Sequence, residues 1–159
     1  MKVAIFFGSS SDTEVMRKAA NLLKEFGVEY RALVLSAHRV PEKLAEELKI
    51  LENEGFECII AGAGLAAHLP GVIASQTILP VIGVPINGAL DGMDSLLSIV
   101  QMPKPIPVAT VGINNSFNAA MLSIEILALK YPVLKEKLIE YRKNMKKQFI
   151  EENSKGVDF

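Results

Sequence analysis

The sequence predicts an α/β fold, a five-stranded parallel sheet with helices on both faces, and three observations carry that reading. Short runs rich in Val, Ile, Leu and Phe alternate along the chain with segments whose apolar residues recur at helical spacing. Half of the 159 residues are hydrophobic, which suits a sheet covered on both faces or a surface partly buried against other subunits. Finally, every strand-to-helix connection is unusual in composition: GSSSD, SAHR, AGAGLAAHLPG, PINGALDGMDS and GINNSFN. The helix-to-strand connections read as ordinary turns. Ligands of open parallel sheets bind beyond the carboxyl ends of the strands, so this asymmetry predicts one composite site on one sheet edge.

The elements follow in order. Residues 2–7 form the first strand, and Val15, Ala19, Leu22, Leu23 and Phe26 mark the helix behind it, closed by Gly27 as a C-cap. Residues 29–35 form the second strand. Pro41 suits the first turn of the next helix, whose apolar face is Leu44, Leu48 and Leu51 and whose stop is Gly55. A third strand over 57–61 leads into the small-residue stretch 61–71 and then a helix through 73–78. A fourth strand spans 80–84, a helical piece spans 93–101, and a fifth strand over 107–111 precedes a helix from 116 towards 130. After Pro132, Leu134, Leu138, Tyr141, Met145 and Phe149 make an apolar stripe on a helix that is otherwise charged. Such an added helix either reaches onto a neighbouring subunit or packs back on its own domain. The single domain is thus a core over 1–130 with a helical extension over 131–159.

Composition narrows the function classes. With 17 Lys+Arg against 18 Asp+Glu the charge is balanced, so no nucleic-acid surface is expected. No apolar run approaches a membrane span, and no basic-then-apolar leader opens the chain, so a cytoplasmic protein is expected. The lone Cys58 fits a buried thiol in a reducing compartment. His38 and His68 have no Cys or second His at ligand spacing, so no metal is expected.

Three segments could carry chemistry. Residues 8–12 lie between a strand and a helix, where backbone N–H groups and the hydroxyls of Ser9 and Ser11 would face an anion such as phosphate. The plainer alternative is that Ser11 or Asp12 caps the helix; Asp12 is otherwise suited to accept hydrogen bonds from sugar hydroxyls. No P-loop is present. His38 and Arg39 follow the second strand, one suited to moving a proton near neutral pH and the other to gripping a phosphate or carboxylate at two points. The stretch 61–71 could be a phosphate loop, a closely packed helix or a pocket wall, and His68 within it either borders the site or bonds to backbone. Gly62 and Gly64 begin a dinucleotide fingerprint whose third position, Ala67, is the weaker of the permitted residues. The residues alone therefore support an enzyme or binding protein for a small phosphorylated ligand, with His38 as acid or base.

Taken together, GSSSD, SAHRVP, AGAGLAAHLPG, LPVIGVP, DSLLSIVQMP and Asn118-Ala119-Ala120, in register over about residues 3–130, resemble the N5-carboxyaminoimidazole ribonucleotide mutase family, PurE, of purine biosynthesis. The resemblance implies a three-layer α/β/α sandwich of flavodoxin-like type, assembled as a homo-octamer, with the C-terminal helix packing on a neighbouring subunit. It also implies transfer of a carboxylate from N5 to ring carbon C4 by decarboxylation and recarboxylation, through trapped carbon dioxide and without cofactor or metal. Carried over by position, Ser9, Ser11, Asp12 and Arg39 bind the ribose phosphate, and His38 is the acid–base group. Ser36, Gly64, Ala66 and His68 border the base and the carbon dioxide. Leu65 departs from the pattern, standing where members usually have glycine. Direct carboxylation of aminoimidazole ribonucleotide is the rival activity, and a non-catalytic nucleoside-phosphate binder the rival class.

Overall fold

The computed structural model describes residues 1–154 and 156. Five parallel strands, β1 (Lys2–Phe7), β2 (Glu29–Val34), β3 (Cys58–Gly64), β4 (Val81–Ile86) and β5 (Ala109–Thr110), lie in the order β2-β1-β3-β4-β5. Helices α1 (Thr13–Phe26), α2 (Pro41–Asn53), α3 (Leu69–Ala74), α4 (Met93–Val100), α5 (Ser116–Ala128) and α6 (Pro132–Ser154) complete the chain. Successive residues of a strand face opposite ways, and β1 divides accordingly. Val3, Ile5 and Phe7 pack with Leu22, Leu23 and Phe26 of α1, Ile124 of α5 and Leu134 of α6. Ala4 and Phe6 pack with Leu44, Leu48 and Leu51 of α2, Ile73 of α3 and Ile99 of α4. The result is the expected three-layer sandwich, with β1 and β3 at its dry centre.

Local chemistry sets the boundaries. Gly27 closes α1 in the left-handed conformation at φ 74°, its N–H meeting the carbonyls of Leu23 and Lys24. Pro41 opens α2, where a missing N–H costs no helical bond. Asn115 caps α5 by accepting the N–H of Asn118 at 3.1 Å.

Several boundaries differ from the sequence expectation, β4 running to Ile86 instead of 84 among them. β3 continues through Gly64, pairing with β4 as far as Gly64 opposite Ile86, so residues 62–64 extend the strand expected to end at 61. Here Gly62 is a packing residue: a Cβ on it would lie 2.5 Å from Met16 Sδ of α1. Helix α3 spans Leu69–Ala74, earlier than the expected 73–78. β5 shrinks to Ala109–Thr110, because Pro107 just before it has no N–H to give a ladder.

The edge of the sheet away from the strand carboxyl ends is fastened by charge. Glu57 accepts from Lys130 Nζ at 2.6 Å and Tyr131 Oη at 2.9 Å. Burial would raise its carboxyl, but Lys130 and Tyr131 outweigh that and hold it below the ordinary value. Next to it in sequence, burial pushes the Cys58 thiol up to about 12. Helix α6 packs its first half on its own domain: Leu134 and Leu138 are buried, Phe26 and Tyr141 ring centres are 5.5 Å apart, and Lys137 Nζ donates to Phe26 O at 2.7 Å. Beyond that, Met145, Phe149 and Ile150 are exposed. No helix among the described residues is long and apolar enough to cross a membrane.

Candidate active site

Sheet order builds the site. Because β1 lies between β2 and β3, the loops leaving the carboxyl ends of these strands converge, although their residues are some thirty positions apart in sequence. With the loops after β4 and β5 they enclose a cavity of about 860 Å³. All nine residues nominated from the sequence, Ser9, Ser11, Asp12, Ser36, His38, Arg39, Gly64, Ala66 and His68, line it.

One corner is suited to an anion. Ser9 Oγ accepts the Ser11 hydroxyl at 2.9 Å and the Ser11 N–H at 3.4 Å, so Ser9 caps a short 3-10 turn ahead of α1. Arg39 crosses from the β2 loop and donates Nη2 to Gly8 O at 2.8 Å, while its N–H is held by Ser36 Oγ at 3.3 Å. One of the guanidinium's five donors is thereby used to fix the side chain, and the planar fork remains for a ligand oxyanion. Asp12, linked to the Ser11 hydroxyl at 3.0 Å, brings an acceptor to the same corner.

The group best suited to moving a proton is a histidine pair. His38 Nε2 and His68 Nδ1 are 2.7 Å apart, with the rings edge to face at 87°. One hydrogen occupies that bond. If His38 donates it, Nδ1 of His38 is left as an acceptor and Nε2 of His68 as a donor. Moving that hydrogen to His68 reverses both roles once His38 Nδ1 takes up a proton and His68 Nε2 gives one up. The pair can therefore take a proton at one end and release one at the other. The β3 loop delivers His68 through two tight backbone bonds, Ala67 N–H to Leu65 O at 2.8 Å and His68 N–H to Ala66 O at 2.7 Å. Of the two readings of His68 left open by the sequence, the geometry places its ring against His38 rather than against backbone.

The remaining wall is small or amide-bearing: Gly64, Leu65, Ala66, Asn87, Gly88 and Asn114. A Cβ on Gly64 would sit 3.2 Å from Ile86 O, so glycine lets β3 and β4 run close at their ends. Asn114, at φ 57°, accepts the Asn87 N–H at 3.0 Å and donates its own to Pro85 O at 2.8 Å, pinning the β4 loop to the β5 loop. Asparagine tolerates this conformation better than most residues. Leu65, at φ 55°, does not, and the left-handed region costs such a residue roughly 1–2 kcal/mol. Asn87, Gly88 and Asn114 were not singled out from the sequence, although both of their loops were marked by composition. Among the described residues, no cluster of three His, Cys, Asp or Glu side chains is placed to hold a metal ion.

The sequence matches the AIR carboxylase family over residues 2–148. An N5-carboxyaminoimidazole ribonucleotide mutase of Pyrococcus horikoshii is 59% identical over 157 residues, 98% of this chain and 88% of the relative. A phosphoribosylaminoimidazole carboxylase of Candida albicans is 51% identical over 149 residues, 93% of this chain but 26% of that longer protein. Among solved structures, PurE of Treponema denticola superimposes with a TM-score of 0.90 at 30% identity, covering 99% of each chain.

Proposed function

This chain belongs to the AIR carboxylase family, and on that premise we propose that it is an N5-carboxyaminoimidazole ribonucleotide mutase, an isomerase of purine biosynthesis. The observation that carries the chemistry is the 2.7 Å contact between His38 and His68 on the cavity wall. The phosphate and ribose lie in the corner of Ser9, Ser11, Asp12 and Arg39. The imidazole base lies against Ser36, Gly64, Ala66 and His68, with the reacting carboxylate beside the histidines.

The reaction balances within the pair. Cleavage of the N5–carboxylate bond leaves its electrons on nitrogen, which takes a proton from His38, and carbon dioxide is released. Ring carbon C4, enamine-like in the intermediate, attacks that carbon dioxide. The proton then lost from C4 returns to the imidazole and restores aromaticity. One proton is lent and one recovered, and no other reactant is consumed. The small residues Gly64 and Ala66 leave room beside the histidines for the imidazole base and the released carbon dioxide. On this reading the protein is cytoplasmic and a homo-octamer, in which the exposed outer half of α6 meets a neighbouring subunit.

Two substrates separate the mutase from its rivals. The carbamate should be converted to the C4 carboxylate at low bicarbonate, and aminoimidazole ribonucleotide with carbon dioxide should not be converted at comparable efficiency; the reverse pattern establishes the direct carboxylase. Nucleotide binding without any C4 product establishes a binding protein. His38→Asn should abolish turnover and leave nucleotide affinity largely intact, and near-normal activity would remove His38 from its role. Light scattering at micromolar concentration should report eight protomers; a monomer contradicts the assembly.

A further inference from the structure

We infer that Leu65 is a positioning residue of this site, whose side chain covers the cavity between the loops after β3 and β4 and keeps released carbon dioxide from leaving. The inference rests on the mutase reading and adds a function for a residue that reading does not use. Three observations converge on it. Leu65 holds φ at 55°, a conformation that an L-residue adopts at a cost and glycine adopts freely. It also leaves 59% of its surface exposed, so the strain is not returned by burial in the core. And it lines the cavity, with Cδ2 lying 3.6 Å from where a Cβ on Gly88 would stand. The side chain thus reaches across towards the β4 loop, at a point where that loop carries no side chain of its own.

The exposed isobutyl group of Leu65 can pack on the π face of an aminoimidazole ring, whose polar edge would stay free for hydrogen bonds. Leu65 also begins the turn that delivers His68, through the bond from Ala67 N–H to its carbonyl at 2.8 Å. Backbone and side chain therefore have separable duties: the first sets the turn, the second covers the ring and the gas.

After the N5–carboxylate bond breaks and nitrogen takes its proton, carbon dioxide has two fates. It is attacked by C4, forming the new carbon–carbon bond with loss of the C4 proton, or it escapes and leaves aminoimidazole ribonucleotide behind. Leu65 acts on this division.

The test follows a ¹³C label. Carbamate labelled in its carboxylate is supplied to the full-length protein in unlabelled bicarbonate, and label in the C4 product and free aminoimidazole ribonucleotide are measured together. The unaltered protein should retain the label. Leu65→Ala, which keeps the strained backbone but loses the isobutyl group, should lose it and release about tenfold more free nucleotide per product, the scale on which a pocket suffers from losing an apolar group. Leu65→Gly should behave alike while melting no lower, since glycine relieves the φ; Leu65→Met should restore retention. Retention in both Ala and Gly variants overturns the inference. So does loss in Gly alone, which would assign the effect to the backbone. Absence of C4 product from the unaltered protein overturns the mutase reading itself, and is distinguishable because it needs no variant.

Discussion

Gly83 is the position where adding one methyl group should damage this fold most legibly. It lies in β4, paired with Ala61 of β3 and Thr110 of β5. A Cβ there would stand 2.4 Å from Ile99 Cγ2, 3.0 Å from Val108 Cγ1 and 3.4 Å from Pro70 Cβ. Ile99 is fully buried in α4 and branched at Cβ, so its methyl cannot swing aside without moving the helix. Overpacking of this kind costs about 1–3 kcal/mol, and the better strand behaviour of alanine returns about 0.5–1 kcal/mol. Gly83→Ala should therefore lose up to about 2.5 kcal/mol net, which lowers Tm by up to about 10 °C for a chain of this length. Gly62→Ala is the internal comparison. Its Cβ would meet Met16 Sδ at 2.5 Å and Ile86 Cδ1 at 3.1 Å, both distal atoms, and the methionine's three rotatable bonds let it withdraw. That variant should stay within about 1 kcal/mol of the parent. Urea and thermal unfolding at matched protomer concentration decide the matter, since assembly shifts apparent stability. Equal losses in the two variants, or a larger loss in Gly62→Ala, would refute the reasoning that the stiffness of the neighbour sets the cost.

Two further predictions concern pH. The Glu57 carboxyl is held below its ordinary value of 4.5, so its stabilisation is present above that value and lost as pH falls through the folded value. Glu57→Gln should be less stable at neutral pH and lose less on acidification; an unchanged acid limb in urea titrations would contradict this. Burial carries the Cys58 thiol from 9.0 to about 12, so the protonated thiol stabilises the fold below pH 9 and that contribution disappears as pH rises towards 12. Thiol reagents should label native Cys58 only at the rate of unfolding, and Cys58→Ala should flatten the alkaline loss; rapid labelling of folded protein would refute the burial argument.

Much of this was legible because punctuation in the sequence coincides with the chemistry of the boundaries. Gly27 and Pro41 were placed from their residue types and stand where left-handed and first-turn positions require them. The five strand-to-helix loops announced the site edge by composition alone. Illegible features were those decided by distant partners. Residues 62–64 did not read as strand, because glycine and alanine are poor strand formers, yet a central strand flanked by β1 and β4 overrides that preference. The meeting of His38 and His68 depends on β1 lying between β2 and β3, a matter of topology rather than spacing. Asn114 enters the site through its bond to the Asn87 backbone, which no local pattern announces. Leu65 drew notice as a departure from the family pattern, but its left-handed backbone has no signature in a leucine.

The clasps at the far edge of the sheet also bear on how the protein is made. Lys130 and Tyr131 fasten Glu57 ahead of β3, and Lys137 fastens the carboxyl end of α1 through Phe26 O. Every residue lining the cavity, up to Asn114, leaves the ribosome before these three do. A nascent chain can thus carry a complete set of site residues while the strand and helix that hold them lack their rear fastenings. A stretch synthesised after the site residues fastens a fold whose working parts were delivered before it.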